Sequence, residues 1–244
     1  MGRRRRRRLE RLPQRSPDEG RDRTGNAFVL WALGKKKPVR EMGATRSHVL
    51  AWIDERRFVT GGSDQTVAVW DFDAGKMLLE VNHGDNIVAL VADAHVAWTG
   101  GWDKVRVIKR WDLATGKSLG EIALDTPCTR SRSPDGKRVA CVTHGGALHV
   151  FDWATGEELV KVVKAHDDTA DGVAWTNDGE HIVTVSEFDE TLRLFDPNGK
   201  PLDVRRDLPR PARIGVGPDG LIYVAIAYER IDRFRVAKNA FTTI

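Results

Sequence analysis

The 244 residues are 41% hydrophobic and 30% charged, enough chain and apolar content for one substantial domain with its own core. No run of about 18 apolar residues occurs, which excludes a membrane-spanning helix, and the N-terminus lacks the apolar stretch of a secretory signal, so a cytoplasmic location is expected. The net charge of +4 is uneven: residues 1–25 carry ten Arg (Arg3 to Arg8, Arg11, Arg15, Arg21, Arg23) against four acids, and the remainder carries 29 Lys and Arg against 31 Asp and Glu, which excludes a domain-wide nucleic-acid surface.

In chain order, residues 1–25 come first. Six consecutive Arg, two Pro and few apolar residues cannot bury enough surface to offset ordering entropy, so a disordered, solvated tail is expected. It is the one part of the chain suited to nucleic acid or an acidic surface, through release of counterions; no membrane partner is expected.

Beyond the tail the chain repeats. Trp31, Trp70, Trp111, Phe151, Phe195 and Phe234 each end a short apolar run, at separations of 39, 41, 40, 44 and 39 residues, a period that signals stacked supersecondary units. Val67-Ala68-Val69-Trp70-Asp71 recurs as Leu148-His149-Val150-Phe151-Asp152 and Leu192-Arg193-Leu194-Phe195-Asp196, each a strand-length segment. A glycine turn follows each of the first five aromatics, at Gly34, Gly75, Gly116, Gly156 and Gly199. Other turns lie upstream, at Ser133-Pro134-Asp135-Gly136, Asn177-Asp178-Gly179, Gly217-Pro218-Asp219-Gly220, Thr60-Gly61-Gly62 and Thr99-Gly100-Gly101. Helical periodicity is absent. Each unit therefore reads as four short antiparallel strands, the pattern of one β-propeller blade.

Five complete units are expected, at about 47–82, 83–123, 124–164, 165–207 and 208–244, preceded by a two-stranded partial blade over 26–46. The fold class is thus all-β, a β-propeller of four-stranded antiparallel blades. Five blades and two strands leave an edge to be accounted for. The chain is a fragment, closes as an unusual small ring, or shares its ring with a second chain.

These residues resemble the WD-repeat family over roughly residues 27–244. Trp70-Asp71 and Trp111-Asp112 match its signature dipeptide, Phe151-Asp152 and Phe195-Asp196 are variants of it, and the Ser-Pro-Asp-Gly turn resembles prokaryotic members especially. The resemblance implies a structural chain of hydrogen bonds linking a loop His, a strand Ser or Thr, a turn Asp and the Trp. His83, Thr99, Asp103 and Trp111 fit it; so do His166, Thr184 or Ser186, and Asp189, with Phe195 in place of Trp. Asp64 and Trp70 keep half of it, whereas Gly145 and Tyr228 stand where Asp belongs in the third and last units. Two extra residues between Asp103 and Trp111 suggest a bulge.

His83, Thr99 and Asp103 also contain the residue types of a hydrolytic triad. Their recurrence at His166 and Asp189, in phase with the repeat, argues for the structural role, since a catalytic site occurs once. Gly116-Lys117-Ser118 lacks the further glycine of a phosphate-binding loop, Trp111 standing in its place. Cys128 and Cys141 flank the turn at 133–136; a two-residue loop at Pro134-Asp135 would set them opposite each other, as reduced thiols in a cytosolic protein. Two cysteines make neither a disulfide framework nor a zinc site, and no cofactor is expected.

Trp102 and Phe188 immediately precede the turn residues Asp103 and Asp189, which places them in loops. Surface aromatics of this kind are typical binding hot spots, and the resemblance implies a partner-binding face at such loops; Asp85 and Asp168, beside His83 and His166, are further candidates for it. The expected function is a non-enzymatic scaffold for a protein or peptide partner. The alternatives are a regulatory propeller belonging to a larger bacterial kinase or protease, and a propeller hydrolase or lyase.

Overall fold

The computed structural model describes residues 7–11, 27–32, 34, 36–38, 40–44, 46–102, 106–206, 208–227 and 229–243. All regular structure among them is β. A three-stranded sheet comes first: β1 (Arg7–Arg11), β2 (Ala27–Ala32) and β3 (Arg40–Ala44), in that order and antiparallel. The segment expected to be disordered therefore contributes a strand at Arg7–Arg11, paired to the aromatic-bearing strand β2; the rest of residues 1–25 lies outside the described residues.

Five four-stranded sheets follow, each with its strands in sequence order. They are β4 (Ser47–Trp52), β5 (Arg57–Gly62), β6 (Thr66–Asp71) and β7 (Lys76–Asn82); β8 (Ile87–Ala92), β9 (Val96–Gly101), β10 (Val107–Asp112) and β11 (Ser118–Ala123); β12 (Cys128–Arg132), β13 (Arg138–Thr143), β14 (Leu148–Asp152) and β15 (Glu158–Val162); β16 (Gly172–Trp175), β17 (Ile182–Ser186), β18 (Thr191–Phe195) and β19 (Pro201–Arg205); and β20 (Pro211–Val216), β21 (Ile222–Ile226), β22 (Arg230–Ala237) and β23 (Ala240–Thr243).

Burial explains the strand chemistry. The inner strands β5, β6, β13, β14, β17 and β18 are buried along most of their length, and Phe58, Val59, Val139, Ala140, Cys141, Val142, Val183 and Val185 are all 0% exposed; the last sheet differs, its third strand β22 being buried only at Phe234. A strand buried on both faces loses the polar–apolar alternation of a half-exposed one. The fourth strands keep it, with exposed residues along β7, β11 and β15.

The chain forms two compact units, residues 1–105 with 110–119, and 106–109 with 120–244. In the first, Val59, Val67 and Val69 pack with Ile87, Ala97, Trp111 and Leu113. The opposite face of the β4–β7 sheet carries Phe58, Trp70 and Phe72, with Trp52 edge-on to Phe58 at 5.4 Å. In the second unit, Ala140, Val142, Leu148 and Val150 pack with Val173, Trp175, Ile182 and Phe195. Val183, Val185, Leu192 and Leu194 face the other way, onto Ile222, Val224, Ile226 and Phe234. Neighbouring residues of β17 thus serve two different cores, as the two-residue period of a strand requires.

The third and fourth strands slip register beside the aromatic in three sheets, at Val69/Trp70, Val150/Phe151 and Leu194/Phe195. The bulge inferred between Asp103 and Trp111 involves residues 103–105, outside the described residues.

The β12–β13 hairpin corrects two expectations. Ser133 O accepts from Gly136 N at 2.9 Å, Ser133 N donates to Arg138 O at 2.9 Å, and Asp135 Oδ1 accepts from Lys137 N at 3.0 Å. Four residues, 134–137, therefore close the hairpin, not two. The register moves with the turn: Cys128 faces Thr143, and Cys141 faces Arg130. The cysteines sit diagonally on one face, 6.0 Å apart between Cα atoms, and are joined as a disulfide, a separation within the range such a bond spans. The expected pair of directly opposed, reduced thiols is replaced by a diagonal cross-strand bridge.

One glycine shows how tightly the turns meet their neighbours. Gly146 has φ +77°, and a Cβ there would lie 2.5 Å from the carbonyl oxygen of His166 and 2.7 Å from that of Asp168. Gly220 has φ +76° with nothing within 4 Å. Left-handed backbone costs a non-glycine residue about 1–2 kcal/mol, and at Gly146 the clash with backbone adds to it. Urea denaturation is expected to show Gly220→Ala losing about 1 kcal/mol, and Gly146→Ala at least about twice that.

Candidate functional site

The loop ends of the sheets carry the residues singled out by sequence, and they are best defined in the β16–β19 sheet. His166 lies in the connection from β15 to β16, its side chain wholly buried. Its Nδ1 is 3.0 Å from Asp189 Oδ2 and its Nε2 is 2.7 Å from Thr184 Oγ1. The carboxylate can only accept, so Nδ1 carries a proton and donates to Asp189. Thr184 is the strand hydroxyl of this set. Ser186 is engaged elsewhere: its hydroxyl donates to Thr169 O at 2.6 Å and accepts from Asp189 N at 3.1 Å.

Asp189 gathers more partners than the sequence reading assigned. Thr191 Oγ1 donates to Oδ1 at 2.6 Å, Asp167 N to Oδ2 at 3.0 Å, and Arg193 Nη2 to Oδ2 at 3.0 Å. Arg193 also reaches Asp167 at 2.9 Å. Burial pushes the Asp189 carboxyl up, but the hydrogen bonds from His166 and Thr191 and the imidazole charge outweigh it, holding the group well below the ordinary 3.8. The signal for Arg193 and Thr191 was their alternation on β18 with apolar residues, which sets both on one face.

In the first unit the corresponding sets are partial. Trp111 Nε1 donates to Thr99 Oγ1 at 2.8 Å, and Trp70 Nε1 to Thr60 Oγ1 at 3.1 Å. His83 is buried, with its ring 6.3 Å from that of Trp111 between centroids. Asp103 lies outside the described residues, as does Tyr228. Asp64 accepts from the backbone N–H of Arg46 at 3.1 Å and of Thr66 at 3.2 Å, so it ties its turn to the preceding segment. In the third sheet, Gly145 N donates to Thr126 Oγ1 at 3.0 Å, where no carboxylate is present.

Of the proposed binding residues, Trp102 is 45% and Phe188 63% exposed. Phe188 stands on the β17–β18 turn, whose backbone is fixed by Ser186 and Asp189. Asp168 is exposed and caps its own loop through Thr169 N at 2.6 Å. Asp85 departs from its expected place at the surface: it is 1% exposed, with its carboxyl group in the space left by the missing side chain of Gly101. A buried carboxylate cannot meet a partner.

A further pair went unread in the sequence. His149 Nδ1 lies 2.5 Å from Glu158 Oε1, and His149 stacks on Phe151 at 5.9 Å; with Lys161 and Asp125 they line a cavity of about 160 Å³. Among the described residues no cluster of three or more His, Cys, Asp or Glu is arranged to hold a metal.

Repeated four-stranded antiparallel sheets, with a His–Thr–Asp lock at a loop end, define an all-β protein consistent with a β-propeller of the WD40 type. Comparison with known proteins agrees. Residues 37–71 and 157–196 match the family model "WD domain, G-beta repeat". The mouse (Mus musculus) WD repeat-containing protein 1 is 23% identical over 171 residues, covering 61% of this chain and 26% of that protein. The Small ribosomal subunit protein RACK1 of Drosophila melanogaster is 28% identical over 149 residues, covering 56% of this chain and 46% of that one. The Peroxisomal targeting signal 2 receptor of Schizosaccharomyces pombe is 20% identical over 170 residues, covering 66% and 55%. The chain thus spans between about a quarter and just over half of these relatives. Among solved structures, the computationally designed Ika8 protein superposes with a TM-score of 0.74 at 19% identity, over 88% of this chain and 67% of that one, a likeness of fold. These matches support a WD-repeat family for the chain.

The depressed Asp189 carboxyl sets a sign for acid stability. Its pairing contributes fully above the ordinary value of 3.8 and is lost as pH falls through that value toward the lower folded-state one. Thermal melts are expected to show Asp189→Asn less stable than wild type by about 3 kcal/mol near neutrality. The difference should shrink below about pH 4 as the wild-type carboxylate takes up its proton.

Proposed function

We propose that this protein is a non-enzymatic interaction scaffold, binding a protein or peptide partner through loop-borne aromatics at the ends of its sheets. The observation that carries this reading is Phe188: an aromatic side chain 63% exposed on a turn held rigid by Ser186, Asp189 and the buried His166. Exposing a large apolar ring on a preorganised turn costs solubility and gains contact area at small entropic expense on binding. Trp102, 45% exposed at the end of β9, has the same character in the other unit. The WD-repeat matches support the reading, since repeats of this family commonly serve as interaction scaffolds. The His–Thr–Asp set is structural in this reading: His166 and Asp189 are engaged with each other and with Thr184 and Arg193. The Ser133-Pro134-Asp135-Gly136 turn supports a prokaryotic-type member, and a cytoplasmic location is part of the same proposal.

The test compares capture of cross-linked partners from source-cell extract by wild type and by a Trp102→Ala, Phe188→Ala variant of equal thermal stability. Loss of roughly tenfold or more of a specific partner is expected, as for truncated hot-spot aromatics. Undiminished capture by the variant would overturn the assignment of these loops.

A further inference from the structure

Arg130, in the middle of β12, is out of place among its equivalents. Counting from the residue paired with the repeat aromatic, Cys141 holds the position taken by Thr60 and Thr184 in their sheets. Thr99 matches Thr60 through the same bond from its tryptophan. The residue facing that position across the first strand is Leu50, Leu90, Val173 or Ile214 in the other four sheets. Here it is Arg130. An aliphatic slot has received a cation, and the hydroxyl slot beside it has received a thiol.

Among the described residues no acidic group compensates Arg130 there. Its Nε and Nη1 are buried and find no hydrogen-bond acceptor among the described residues. Burial alone lowers the guanidinium to about 9, a value at which it is still protonated at neutral pH. Its close side-chain polar contact among the described residues is from Nη2 to Cys128 Sγ, at 3.3 Å. A disulfide sulfur is neutral and a weak acceptor, so the oxidised pair leaves a buried cation without a counter-ion among the described residues, an expensive arrangement. A thiolate at the same atom would supply the missing charge, and cations beside a cysteine lower its pKa.

We propose that Cys128 and Cys141 are a redox-responsive pair whose reduced state is stabilised by Arg130, with Cys128 held as the thiolate. A dithiol reductant supplies both electrons. One of its sulfurs attacks Cys128 Sγ, breaking the disulfide and forming a mixed disulfide while Cys141 leaves and takes a proton. The second reductant sulfur then attacks the first, forming the reductant's own disulfide and releasing Cys128 as thiolate beside Arg130. Of the two protons carried by the dithiol, one ends on Cys141 and one in solvent. Cys128 is the point of entry, being 4% exposed at the start of β12 where Cys141 is 0% exposed. The other charged groups presented to this face among the described residues are Asp125 before β12, His149 with Glu158, and Lys161. The elements on the opposite side of the sheet contribute Ala165, Ala170, Val173, Trp175, Ile182 and Phe195, none of them titratable.

The linkage has a direction. Stabilising the reduced form makes a disulfide easier to reduce, so removing Arg130 must make it harder. Full-length wild type and Arg130→Met are equilibrated with graded ratios of reduced to oxidised dithiothreitol, quenched, alkylated and weighed by mass spectrometry. Arg130→Met is expected to need about a tenfold more reducing ratio for half-reduction, about 30 mV for this two-electron couple. An unchanged midpoint, or a shift the other way, overturns the proposal. Should Arg130→Met fail to fold, Cys141→Ser decides it: ultraviolet absorbance of the thiolate then titrates Cys128 alone. Its midpoint is expected below the ordinary thiol value of about 8.5; a midpoint at or above it contradicts the assignment.

Discussion

Burial of both faces of the inner strands β5, β6, β13, β14, β17 and β18 is the constraint on which the rest of the structure depends. Val183 and Val185 on one side of β17, and Ile182 on the other, belong to different apolar clusters. A sheet such as β16–β19 is not stable alone under that arrangement, because it supplies only half of two cores. Repetition follows from this need. A new unit can be added only if it offers the same two apolar faces, and the recurring aromatic with its flanking β-branched residues is the sequence form of that requirement.

A frame set by the strands leaves the connections under weaker constraint. The β15–β16 connection and the β17–β18 turn are held from inside by His166, Thr184 and Asp189, so the residues outside that lock, Phe188 and Asp168, are free to vary in chemistry without loss of the fold. The β12–β15 sheet departs from its siblings in a different way. It has no carboxylate at Gly145 and no His–Thr–Asp lock, and its inner strands are instead joined by Cys128 and Cys141. A covalent tie between β12 and β13 does locally what hydrogen bonds do elsewhere, and Arg130 makes it responsive to redox conditions.

The repeat, the all-β class and the positions of the strands were legible because apolar periodicity and turn glycines report local geometry directly. The Trp–Thr pairs and the association of His166 with Asp189 followed from the family resemblance, on residues with distinct chemistry. Other features depended on distances no local pattern encodes. The register of β12 against β13 rests on four residues closing the turn at Ser133, and a two-residue difference there decides which side chains face each other. Asp85 is buried because Gly101 leaves room for its carboxyl group, a relation between separate strands. Arg193 and Arg130 are ordinary arginines in the sequence; only their neighbours, Asp189 in one case and a disulfide in the other, give them meaning.

Hydrogen exchange, resolved by peptide or residue, tests the central claim most directly. Sheets whose middle strands are buried on both faces must protect β5, β6, β13, β14, β17 and β18 far more strongly than the half-exposed fourth strands β7, β15 and β19, with the same ranking in these three sheets. Protection spread evenly across the four strands, or strongest in the fourth, would contradict the account of the fold as a series of mutually buried, near-equivalent sheets.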